Sequence, residues 1–174
     1  AVTQGHLYRG DGDAAAHEVE ARWPALSRSL LLGISMVRVE TWRLRVRAAL
    51  LQAETARGWR RRRLLKAASR ALRVITTEPG APGQPFAPLI RAAIARLQGD
   101  EPRALLELDR AHVAFTAADM RLMAACVRRS RGRLLGGDEG AGLIADADAW
   151  MRGRDIVAPA RMAACLAPGL GHET

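Results

Sequence analysis

The residues of this chain best placed to do chemistry are cations. Arg60, Arg61, Arg62 and Arg63 form one unbroken run, and Lys66, Arg70 and Arg73 follow it. Such a cluster is an electrostatic patch for an anion: nucleic acid, anionic lipid or an acidic protein surface. The competing reading is a solvated helix start in an arginine-rich protein. Four consecutive residues point around most of a helix rather than along one face, and only Trp59 stands near them as a stacking aromatic. Arg62, Lys66, Arg70 and Arg73 share a face by helical spacing. All seven, Arg60, Arg61, Arg62, Arg63, Lys66, Arg70 and Arg73, are the candidate partner contacts, and low sequence selectivity is expected of them.

Other chemistry is sparse. His6, His17, His112 and His172 show no metal-ligand spacing. The chain has no His-Glu-x-x-His, no Gly-x-Ser-x-Gly and no phosphate-binding Gly-x-x-x-x-Gly-Lys. Asp146 and Asp148 are two residues apart on a helix, which directs them differently and makes a poor acid/base pair. Gly10-Asp11-Gly12-Asp13 resembles half a calcium loop, yet the later ligands and closing glutamate are missing, so a turn with a helix cap is expected. Cys126 and Cys165 lie on apolar helical stretches and read as free core thiols of a cytoplasmic protein. No catalytic residue, metal ligand or cofactor is assigned.

Composition narrows the class. The net charge is +9, and Lys66 is the only lysine. A GC-rich coding sequence would give that arginine bias without any ligand. Of the 174 residues 49% are hydrophobic but only 4% aromatic, so Ala, Leu, Val, Ile and Met must build the core. That favours helices over sheet. Ser29–Val37 is the most apolar stretch and is too short to cross a membrane. The chain opens without Met, inside what reads as a helix, and is therefore expected to be a fragment of a longer protein.

These residues need elements to position them, and the periodicity supplies only helices. A first helix ends at Gly10. A second, capped by Asp13, covers about Ala14–Arg22 and should stop at Trp23-Pro24, because a residue before proline avoids the α region. Leu30, Ile34, Val37, Thr41, Leu44, Ala48 and Leu51 mark a stripe along 26–56, either one long helix or two broken near Gly33. Trp59–Ile75 carries Leu65, Ala68, Leu72 and Ile75. Residues 76–88, with Pro79, Gly80, Pro82, Gly83, Pro85 and Pro88, read as a surface loop. Ala87–Gln98 and Glu101–Ala117 come next, the latter with an Arg103–Glu107 pair on its solvent side. Asp119 should cap a helix to Leu135, with Met123, Val127, Ser130 and Leu134 aligned. Asp138 should cap one to Arg152, with Leu143, Ala147 and Trp150 aligned. Pro159 opens a short helix, and Leu170–Thr174 reads as a tail. Trp23, Trp42, Trp59 and Trp150 are expected to lock helix contacts.

Three corners organise the series. Leu97–Ala104 pairs a helix-ending Gly99 with an N-capping Asp100. Similar corners lie at Tyr8–Asp13 and Leu135–Gly140. Their spacing gives units of about 38 to 44 residues against ~34 for a tetratricopeptide repeat. Ala92, Ala104 and Ala111 fall where paired helices approach closely. The expected fold is all-α: a single tetratricopeptide-like helical-repeat domain over 1–174, a right-handed stack of antiparallel helix pairs with a C-terminal capping helix at about 159–167.

Phe115–Met120, Arg131–Gly140, Ala147–Met151, Pro159–Ala164 and Leu166–Gly169 together resemble the C-terminal region of large bacterial serine/threonine protein kinases with tetratricopeptide-like tails. The resemblance covers His112–Gly169 and departs at Arg154-Asp155-Ile156. It implies a non-enzymatic scaffold for protein contacts, with the kinase in another part of the parent chain, since no nucleotide loop, His-Arg-Asp or Asp-Phe-Gly is present. The alternatives are a basic helical module binding nucleic acid and the helical sensor region of an ATPase-type transcriptional regulator. A solenoid also needs caps at its ends. Pro159–Leu166 is expected to cap the C-terminal one. The N-terminal one should leave Leu7, Ala15 and Val19 exposed and support a weak homodimer.

Overall fold

The computed structural model describes residues 2–77 and 83–171. Within them the chain is helical throughout, with no strand. The helices are α1 (Val2–Tyr8), α2 (Gly12–Arg28), α3 (Ser35–Thr55), α4 (Gly58–Thr76), α5 (Ala87–Gln98), α6 (Glu101–Ala117), α7 (Arg121–Leu135), α8 (Gly137–Arg152) and α9 (Pro159–Leu166), with 3₁₀ turns at Leu30–Gly33 and Gln84–Phe86. Pro79, Gly80, Pro82 and His172 lie outside the described residues.

All three expected corners are corners. Gly99 takes φ 86°, its N–H reaches the α5 carbonyls, and Asp100 accepts from the Arg103 N–H at 3.2 Å. That left-handed turn strains any side chain but glycine's. At the first corner Asp11, not Asp13, caps α2, accepting from the Ala14 N–H at 2.8 Å. Asp13 instead accepts from Gln52 and Arg60. At the third corner Gly136 precedes α8, which begins one residue before Asp138, so that carboxylate sits in the first turn instead of capping. Met120, not Asp119, occupies the cap position of α7; Asp119 takes φ 52° and binds Arg121 at 2.8 Å.

The chain departs from its local signals where packing outweighs them. Helix α2 runs through Pro24 to Arg28. An interior proline costs about 3 kcal/mol. Against this, Trp23 sets its ring edge-on to Trp42 at 5.1 Å, with the Arg45 guanidinium 3.9 Å from the Trp23 centroid. The break comes at Ser29, whose hydroxyl donates to the Leu26 carbonyl at 2.7 Å. The stretch 26–56 is thus not one helix. Leu30 and Ile34, expected on its stripe, are 94% and 53% exposed, whereas Ala48 and Leu51 are buried. The expected surface loop ends early too: Phe86, Ala87 and Pro88 are buried, and Phe86 meets the Phe115 ring edge-on at 5.1 Å.

The main core lies among α3 to α7, where Leu50, Ile75, Leu108, Phe115 and Val127 are sealed from solvent. The stripe of α4, Leu65, Ala68, Leu72 and Ile75, is buried as its spacing predicts. Helices α7 and α8 are antiparallel, since Gly132 meets Gly140 while Arg128 meets Asp146. A methyl group at either glycine would run into the backbone carbonyl of the other, so this crossing admits no side chain.

Leu170 and Gly171, expected in a tail, are held against the helices. Leu170 is 2% exposed and belongs to the main core. The end of α9 and the residues after it are bonded across the molecule: Arg47 of α3 donates to the Cys165 carbonyl, Gly169 N–H to Glu54, Arg96 of α5 to the Gly169 carbonyl and Arg133 of α7 to the Gly171 carbonyl. Helix α9 packs on α7 and α8 and also on α1. Leu7 and Ala15, expected at an open N-terminal end, are therefore buried with Ala48, Leu51 and Cys165. Of the stripe expected to support a homodimer, only Val19 keeps part of its surface, in the lining of a groove. Glu107 likewise is buried and pairs with Arg110, not with Arg103 on the solvent side.

Candidate functional site

Helix α4 is the chemically distinctive element. Its 19 residues include the seven cations and no carboxylate. The four-arginine run divides on folding. Arg60 pairs with Asp13 at 3.1 Å, and Arg61 donates to the Ala53 carbonyl at 3.1 Å, so both tie α4 to its neighbours. Arg62, Arg63, Lys66, Arg70 and Arg73 are exposed, and none has a carboxylate partner among the described residues. Arg63 lies over the Trp59 ring, 5.8 Å from its centroid. Trp59 is 72% exposed and locks no helix contact, because the buried stripe of α4 faces elsewhere.

These cations make one broad exposed face, flanked by a groove on each side. At about 100° per residue, Arg62, Lys66 and Arg73 project together, and Arg63 and Arg70 project together. The first set includes two residues that line a groove of about 500 Å³ beside Leu97 and Gln98. The second set stands over a groove of about 550 Å³ between α2, α3 and α4. Its floor is Ala16, Ala48, Ala49 and Ala71, with exposed Ala67 also in the lining, and Val19, Trp42 and Leu64 wall it. Alanines at these positions leave open space that larger side chains would fill. Arg45 pairs with Glu20 at its edge, and the Asp13–Gln52 bond joins α2 to α3. Among the described residues, Arg63 and Arg70 are thus the rim cations left without a counter-charge.

The other candidates are structural in position. Asp146 and Asp148 both face α7, pairing with Arg128 at 2.7 Å and Arg129 at 2.8 Å. Each is taken by a different arginine, Asp146 on the exposed side and Asp148 largely buried. His112 and His17 are exposed, and His6 bonds Arg9. Among the described residues no three His, Cys, Asp or Glu side chains gather as metal ligands would. Cys126 and Cys165 are free and buried. Desolvation pushes the Cys126 thiol up to about 12. Burial also raises Cys165, against the opposing pull of Arg47, whose guanidinium stands 3.0 Å from its sulfur.

Two polar features had no signal in the sequence. One is the buried Arg47, which looks like any basic residue of α3. The other is Glu54, whose carboxylate accepts from the Gly169 N–H at 2.6 Å. Burial raises its pKa above the ordinary 4.5 despite that bond and the nearby Arg96. Both depend on partners more than 100 residues away in the chain.

No protein-family model, curated protein or solved structure matches this chain. The resemblance over His112–Gly169 has nothing added to it by these comparisons.

Proposed function

We propose that this chain is a protein–protein interaction scaffold whose contact surface is centred on α4. The observation that carries the reading is a juxtaposition: an alanine-lined groove adjoins a helix on which Arg62, Arg63, Lys66, Arg70 and Arg73 are exposed and have no carboxylate partner among the described residues. A surface that needed only solubility would intersperse both signs of charge. The proposal retains a tetratricopeptide-like arrangement for α3 to α8, where successive helices pack on their neighbours, with the C-terminal segment closing the stack. It also retains the parent chain suggested by resemblance, a bacterial serine/threonine kinase whose helical tail makes the contacts.

A photo-crosslinking residue placed at Ala67, exposed in the groove lining, tests the reading in cells expressing the protein. Specific protein adducts are expected from Ala67 and not from Gly142, which is exposed on α8. Failure to trap any protein from Ala67 would end the proposal. Exposed Trp59 beside the cations favours a second reading, single-stranded nucleic acid stacked on that ring. Adducts to nucleic acid, lost in Trp59→Ala, would select it.

A further inference from the structure

We infer that the groove between α2, α3 and α4 receives an acidic amphipathic helix of a partner protein, the inference resting on the interaction reading above. The shape argues for a helix. Alanines on α2, α3 and α4 leave a trough with an apolar floor, and an apolar ridge spaced i, i+3, i+4, i+7 fills such a trough. The charge argues for an acidic one. Arg63 and Arg70 are seven residues apart on the same side of α4, which sets them about 10 Å apart along the axis. Carboxylates at i and i+7 of a partner helix have the same spacing.

Other occupants fit less well. A second copy of this chain brings a net charge of +9 to a basic rim. Its helix richest in acidic residues, α8, already spends Asp146 and Asp148 on α7. Nucleic acid would use the cations but has no use for an alanine floor. Arg60 and Arg61, which would extend a phosphate track, are held by Asp13 and the Ala53 carbonyl.

The test uses the 174-residue chain and three labelled synthetic peptides read by fluorescence anisotropy. The first carries a leucine ridge with glutamates at i and i+7. The second has the same composition with the ridge scrambled. The third has the same ridge with lysines replacing the glutamates. Binding of the first in the micromolar range is expected, with the other two at least ~10-fold weaker. Arg63→Glu with Arg70→Glu should weaken the first peptide by at least ~10-fold and restore binding of the third, since exposed charges set which partner is rejected. Ala67→Phe should block the ridge while leaving the melting temperature unchanged, because Ala67 is exposed.

Equal binding of the scrambled peptide would overturn the inference, as would indifference to Ala67→Phe. So would a single-stranded oligonucleotide of matched charge that binds more tightly than the first peptide and is likewise weakened by the double reversal. If all three peptides fail while crosslinks from Ala67 still trap protein, the acidic-helix chemistry is wrong and the scaffold reading survives. If both fail, neither does.

Discussion

Glu54 shows how one half-buried carboxylate makes the fold sensitive to pH. A carboxyl whose pKa is raised in the folded chain holds its proton more tightly there than in the unfolded chain. The folded state is favoured at low pH by this group, and the advantage is lost as pH rises from the unfolded value through the raised folded one. Glu54→Gln keeps an oxygen for the Gly169 N–H and removes the titration. Its stability relative to the wild-type chain should therefore rise as pH increases above about 4.5, followed by urea unfolding at several pH values. Glu54→Ala leaves the Gly169 N–H without its acceptor and should cost about 1–3 kcal/mol. The thiols make a second residue-scale prediction. With Cys126 pushed up to about 12 and both cysteines buried, neither should react with iodoacetamide at neutral pH in the folded chain. Mass spectrometry should find both alkylated only after denaturation.

At the scale of elements, the α7–α8 crossing is the most exacting contact. Gly132 and Gly140 each leave no room for a methyl group against the other's carbonyl. Gly140→Ala should gain roughly 1 kcal/mol of helix propensity yet lose more, about 1–3 kcal/mol or above, as the helices are forced apart. Gly142, two residues on, faces open space, and Gly142→Ala should stabilise by about 0.5–1 kcal/mol. Thermal melts of the two variants moving in opposite directions would check this contrast; both stabilising would mean the crossing is looser than described. The ion pairs along the same crossing set its register. Arg129–Asp148 is largely buried, while Arg128–Asp146 is exposed and worth little.

At the scale of the molecule, the C-terminal segment joins helices that are distant in the chain. Residues 165–171 bond to α3, α5 and α7, and Leu170 enters the core they share. In a stack where each repeat meets only its neighbours, removing one end would unravel little beyond it. Here the expectation differs. Deleting residues 167–174 removes a buried leucine and charge-assisted bonds to Glu54, Arg96 and Arg133, each worth roughly 1.5–3 kcal/mol. Global unfolding should move by more than ~5 kcal/mol, with protection lost in α3 and α5 as well as α9. Hydrogen exchange confined to α9 after that deletion would refute the closure.

Short-range physics determined much of this protein in advance. Gly99 with Asp100 had to make a corner, because only glycine takes that φ freely and an aspartate beside it caps the next helix. The boundaries of α5, α6 and α9 and the buried face of α4 come from the same local rules and the 3.6-residue period. The candidate surface was half legible: the cations of α4 could be placed on a helix, but not the alanine floor beside them, which three separate helices assemble. Tertiary structure alone decided the rest. Helix α2 continues through Pro24 because Trp23, Trp42 and Arg45 hold it against α3. Leu7 is covered because α9 returns to α1, Ala15 because α2 packs on α3, and Leu170 is core because the segment holding it crosses α3, α5 and α7. Arg47 and Glu54 acquire their roles from carbonyl and amide groups over 100 residues away. A periodic pattern says which face of a helix is apolar; only the packed chain says what covers it.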